Sequence, residues 1–143
     1  MSALTLTLAN ANAIIAGALA AARDAGHRPM AIVVLDDSGH LRAAQREDRA
    51  SMFRVDIATG KAWAAVGMGV SSRVLAERAA GNPNFFVALA STADGRFLAQ
   101  AGAVTIVGND GIVFGAVGAS GGTGDEDEAI CIAGVVAAGF GHG

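Results

Sequence analysis

The stretch from Val104 to Ala138 leaves a chain few ways to fold. Val104–Val107 and Ile112–Val117 are short and rich in branched apolar residues, and Asn109-Asp110-Gly111 between them is a strong hairpin signal. The second strand runs into the glycine-rich segment Gly115–Gly124. That segment leads straight into Asp125–Ala138, a helix with carboxylates in its first turn and an apolar remainder. Strand, tight turn and acid-headed helix must therefore follow one another without a linker.

The first half reads in the same way. Thr7 caps a helix over Leu8–Ala25, whose Leu8, Ile15, Leu19 and Ala22 share a face and which stops at Gly26. Met30–Leu35 is a strand, Asp36-Asp37-Ser38-Gly39 turns the chain, and His40–Gln45 returns as a hairpin. Ser51 opens a second helix to about Gly67, with Phe53, Ile57, Gly60 and Ala64 on one stripe. Ser71–Ala80 makes a third helix ended by Gly81-Asn82-Pro83, and Asn84–Ala90 is either a helical turn or a buried stretch. Arg96–Ala101 reads as a further strand. No repeat or linker divides the chain, so residues 1–143 are expected to form one domain, with a mainly antiparallel sheet covered by helices.

Composition sharpens this. Half of the residues are apolar, but alanine and glycine supply much of that share, tyrosine is absent and aromatics are few. Such a core is built from small side chains, which lets backbones approach closely. A net charge of −3 without a basic cluster gives no electrostatic footprint for nucleic acid. Met1–Ala22 lacks a basic leader region, and glycine or charge breaks the longest apolar runs, so no targeting segment or membrane span is expected. The single cysteine, Cys131, excludes an internal disulfide and suits the cytoplasm.

Several motifs match only in part. Gly118-Ala119-Ser120-Gly121-Gly122 has the letters of a nucleophile elbow, but that device needs a larger parallel sheet, so a tight turn is the better reading. Gly60-Lys61 resembles the end of a phosphate loop, yet Val55 stands at the first glycine and Ala62 at the magnesium-binding hydroxyl. The N–H groups of Gly121-Gly122-Thr123-Gly124 face an anion only if a cation arrives from elsewhere, because Asp125, Glu126, Asp127 and Glu128 already complement the helix dipole. Asp125 and Glu128 have the spacing of a capping box.

Positive charge is distributed selectively. Arginine occurs nine times and lysine once, so Lys61 marks a place where a compact ammonium is wanted. Arg46-Glu47-Asp48-Arg49 closes the first hairpin, and Arg46 can converge with Lys61 on one carboxylate. His27, His40 and His142 have no metal-ligand spacing with one another or with Cys131, and no metal site is expected.

Val33-Val34-Leu35-Asp36-Asp37-Ser38-Gly39-His40-Leu41 resembles the opening hairpin of the GlcG/HbpS-like haem-binding family, which includes the C-terminal domain of PduO-type proteins. The likeness continues through Arg46–Ala50 and Ala58-Thr59-Gly60-Lys61-Ala62, and is clearest from Asn109 to Ala129. It implies an α+β fold, a three-layer α-β-α sandwich of profilin-like type around a five-stranded, mainly antiparallel sheet. It also implies homo-oligomers and haem as a ligand. Family members commonly carry two adjacent glycines where this chain has Gly102-Ala103.

Three functions stay open. In the first, an oligomer binds haem or a similar planar anion, with Arg46, Asp48, Lys61, Gly121, Gly122 and Thr123 as ligand-binding residues. In the second, the chain is an isomerase, tautomerase or hydrolase acting on a carboxylated catabolite, with Arg46 and Lys61 binding the carboxylate and Asp127 or Glu126 as base. In the third, it is a non-catalytic accessory oligomer.

Overall fold

The computed structural model describes residues 6–143; the first five residues of the Met1–Ala22 segment lie outside the described residues. Helix α1 (Leu8–Asp24) starts where Thr7 and Asn10 exchange side-chain and backbone hydrogen bonds, and Gly26 ends it in the left-handed region. Strands β1 (Ala31–Asp36) and β2 (Leu41–Arg46) form the expected hairpin. Three helices follow: α2 (Phe53–Met68), α3 (Ser72–Gly81) and α4 (Pro83–Thr92). Strands β3 (Ala103–Val107) and β4 (Val113–Ser120), helix α5 (Gly124–Ala137) and the short β5 (Gly141–His142) complete the chain.

The sheet runs β2-β1-β4-β3-β5, and every neighbouring pair is antiparallel. β1 lies near its centre and is buried from Ala31 to Leu35, because both faces are covered. Ile32 and Val34 face α1 and α5, together with Val104, Ile106 and Val117; Val33 and Leu35 face α2, with Ala103 and Ala116. This is the three-layer α-β-α sandwich expected from the sequence.

Small residues set the layer spacing. A Cβ on Gly118 would lie 2.4 Å from the Ala58 carbonyl oxygen of α2, and one on Gly134 would lie 2.3 Å from the Ile14 carbonyl oxygen of α1. Neither contact is sterically possible, so α2 lies directly on β4 and α5 directly on α1.

Four local expectations change. Arg96–Ala101 is not a strand: its backbone is used against α2, with Leu98 N–H donating to the Gly60 carbonyl at 3.2 Å. The fifth strand is instead Gly141–His142, which pairs with Val107 and Ile106. Asn84–Ala90 belongs to a full helix, α4, in which no residue is fully buried. On α2 the sheet-facing side chains are Ala58, Ala62 and Ala65. Of the stripe proposed from periodicity, Phe53 is exposed while Ala64 packs with Leu75 and Phe97 beneath α3 and α4.

Candidate functional site

Lys61 lies on the sheet-facing side of α2, between Ala58 and Ala65 in helical spacing, and is buried. Its ammonium donates to Asp127 Oδ2 at 3.0 Å and to the Ala119 carbonyl at 3.1 Å. The other carboxylate oxygen of Asp127 accepts the Gly122 N–H at 2.9 Å. One ion pair thus joins α2, the end of β4, the glycine turn and the first turn of α5. Gly102 closes over it: a Cβ there would lie 2.5 Å from Lys61 Nζ, and its φ of +136° disfavours any side chain. Of the Gly102-Ala103 pair, therefore, the glycine stands where a side chain could not. The Ala103 backbone is held by Ser72, whose hydroxyl accepts its N–H at 2.9 Å.

The remaining carboxylates of the α5 start are also engaged. Glu126, and not the Asp125/Glu128 pair, makes the capping box: Glu126 Oε1 accepts the Thr123 N–H at 2.9 Å and Thr123 Oγ1 accepts the Glu126 N–H at 3.1 Å. Such a cap contributes about 1 kcal/mol. Asp125 and Glu128 both meet Arg73 of α3, whose Nε donates to the two Glu128 oxygens at 3.0 Å. Those carboxylates hold the Arg73 guanidinium more firmly charged than usual. Cys131 lies one turn beyond Asp127; burial, reinforced by the Asp127 charge, pushes its thiol pKa far up and leaves it an unreactive apolar group.

Arg46 does not join Lys61 on Asp127. In the sheet, Arg46 is opposite Ala31, which is opposite Ser120, so the end of β2, the start of β1 and the end of β4 share one end of the sandwich. There Arg23, Pro29, Arg46, Glu47 and Asp48 line a cleft of about 420 Å³. Glu47 pairs with Arg23 at 3.0 Å and accepts the Met30 N–H at 2.8 Å. Arg46 donates to the Ala50 carbonyl at 2.6 Å, and no carboxylate pairs with it among the described residues. The glycine turn adjoins this cleft, since a Cβ on Gly121 would lie 2.3 Å from the Pro29 carbonyl oxygen. Two residues before Pro29, His27 Nδ1 lies 3.3 Å from Glu126 Oε2, and the ring is partly exposed.

The site residues named from sequence therefore fall into two groups. Lys61, Asp127 and Gly122 form a buried clamp, with Glu126 and Thr123 capping the same helix start. Arg46 and Asp48 line an open cleft at the neighbouring end of the sheet. Ser120, the literal nucleophile of the elbow motif, is buried and accepts a hydrogen bond from Arg54 at 3.2 Å. Sequence reasoning did not name Arg23, and it considered His27 only as a metal ligand and set it aside for want of a spaced partner. The one signal for them is that the end of α1 is enriched in cationic groups, from Arg23 to Arg28. Among the described residues, no three His, Cys, Asp or Glu side chains are placed to hold a metal ion, and no helix is long and apolar enough to cross a membrane.

Comparison with known proteins agrees with this architecture. A family model described as haem degrading protein HbpS-like matches residues 6–136. No curated protein matches the sequence. Among solved structures, a complex of PduOC with haem superposes with a TM-score of 0.85 at 24% identity, covering 96% of this chain and 98% of that one. The Klebsiella pneumoniae protein ORFY gives 0.85 at 25% identity, covering 96% and 93%. A double mutant of Streptomyces reticuli HbpS gives 0.80 at 28% identity, covering 95% and 88%. With a fold of this kind and a family match across most of its length, the chain belongs to the HbpS-like family of haem-degrading proteins.

Proposed function

We propose that the protein binds haem at the sheet end where Arg23 and Arg46 line a common cleft. The observation that carries this reading is Arg46, a guanidinium in an open cleft with no carboxylate partner among the described residues. Haem carries two carboxylates, and two guanidiniums on one cleft suit them. Arg23 would exchange Glu47 for ligand, or share it.

The donor set also fits an iron porphyrin. His27, two residues before the cleft-lining Pro29 and with Nδ1 3.3 Å from Glu126 Oε2, would offer an imidazole to the iron. Thr123, named from the sequence as a ligand-binding residue, already uses its hydroxyl in the helix cap, so His27 would be the residue to hold the iron. Bound haem would supply a redox-active iron. The chain would supply charge for the carboxylates, an oriented imidazole, and a wall built from Gly121 and Gly122.

In this reading Lys61 and Asp127 are positioning residues: they hold the glycine turn against α2 and α5. A homo-oligomer is part of the proposal, supported by the exposed apolar side chains Leu41, Met52 and Phe53. The single cysteine fits a cytoplasmic setting.

Haem titration followed by the Soret band tests the assignment. Arg46→Ala should weaken binding by roughly tenfold or more with the band position unchanged. His27→Ala should shift the band. If both variants titrate like the parent protein, haem does not use this cleft.

A further inference from the structure

A second cleft lies at the opposite end of the sandwich, and we propose that it binds a small aromatic carboxylate. The hollow, about 260 Å³, lies between α2 and α4 and is walled by Trp63, Met68, Leu89 and Phe97. Trp63 fixes its place in the fold. A Cβ on Gly39, in the β1–β2 turn, would lie 2.9 Å from Trp63 Nε1, whereas Arg46 and Ser120 stand at the other end of those strands.

Arg96 gives the hollow its selectivity. Its guanidinium stacks over the Trp63 ring with 4.5 Å from Cζ to the ring centroid. Its Nε donates to the Ala93 carbonyl at 3.1 Å, which fixes the plane of the group. No carboxylate pairs with Arg96 among the described residues. A flat cation with an unused pair of Nη groups, at the mouth of an aromatic-walled hollow, is complementary to a planar apolar body bearing one carboxylate. The apolar ring would lie against Phe97 and Leu89, and the carboxylate would take the guanidinium fork.

α4 allows entry. None of its residues is fully buried, and its C-terminal end turns at Asp94 and Gly95, both at positive φ. The helix covers the hollow through half-buried side chains, with Phe86 and Leu89 resting on the cluster of Leu75 and Phe97, and buries none of its residues completely.

Trp63 is the only tryptophan, so its fluorescence reports this hollow directly. Benzoate is the probe, and benzyl alcohol its uncharged counterpart. Saturable quenching by benzoate is expected, with benzyl alcohol and the Arg96→Gln variant each weaker by on the order of tenfold. Arg46→Ala should leave benzoate binding intact, which separates this site from the proposed haem cleft. Absence of saturable quenching, equal response to the two probes, or loss of quenching in Arg46→Ala would each overturn the proposal. A second copy of the chain seated on α4 would do so as well. In that case light scattering would show an oligomer that Val87→Asp dissociates, and benzoate would not quench the parent protein.

Discussion

Lys61 illustrates how a single residue type reports its surroundings. An ammonium buried between α2, β4 and α5 is tolerable only because Asp127 and the Ala119 carbonyl accept its N–H hydrogen bonds. Removing one partner leaves the other charge buried and unpaired. Lys61→Met should therefore cost about 3–5 kcal/mol in chemical denaturation. Lys61→Met combined with Asp127→Asn should recover most of that loss, because the amide oxygen still accepts the Gly122 N–H and no charge remains. A double variant as unstable as the single one would show that the ion pair itself, and not the stranded carboxylate, sets the cost. Nothing near Lys61 in sequence names its partner, which lies 66 residues away. What the sequence did show was the anomaly of a lone lysine among nine arginines.

Among the elements, the turns and the ends of α1 were the most legible, because their chemistry is local. Thr7 and Gly26 bound α1 as their residue types require, and the Asp36–Gly39 turn forms where the sequence places it. Asp36 stabilises that turn through one carboxylate oxygen, which accepts the N–H groups of Ser38 and His40 at 3.0 Å. Burial opposes ionisation of Asp36, but the N–H donors of His40 and Ser38 outweigh it and hold the carboxyl below its ordinary 3.8. A depressed folded-state pKa means stability that is present above the unfolded value and lost as the pH falls through the folded one. The stability difference between the parent protein and Asp36→Asn should therefore be constant near neutrality and shrink below about pH 4. Thermal melts across that range check it, and a difference that stays constant into strong acid would contradict the assignment. Elements governed by tertiary contact were less legible. Arg96–Ala101 has strand-like residues but meets α2, whose Gly60 backbone takes its hydrogen bond. Gly141–His142 has no strand propensity at all, and pairs only because β3 offers a free edge.

At the scale of the whole molecule, the proposed haem cleft belongs to no single element. Arg23 comes from α1, Pro29 from the loop before β1, Arg46 from the end of β2, and Glu47 and Asp48 from the segment after it. A ligand that bridges these segments stabilises the entire folded state. Haem should raise the midpoint of the cooperative thermal transition in the parent protein and raise it less in Arg46→Ala. An equal rise in both would place the ligand elsewhere. By itself, the sequence determined the α+β class, the two hairpins, the capped start of α1 and the small-residue core, since each follows from interactions within a few residues of the chain. Only the tertiary structure decided that Lys61 closes on Asp127, that Arg46 opens onto a separate cleft, and that His27 meets Glu126. Those pairings depend on strand order and on how closely glycine lets the layers approach, and neither is encoded in the spacing of the residues that meet.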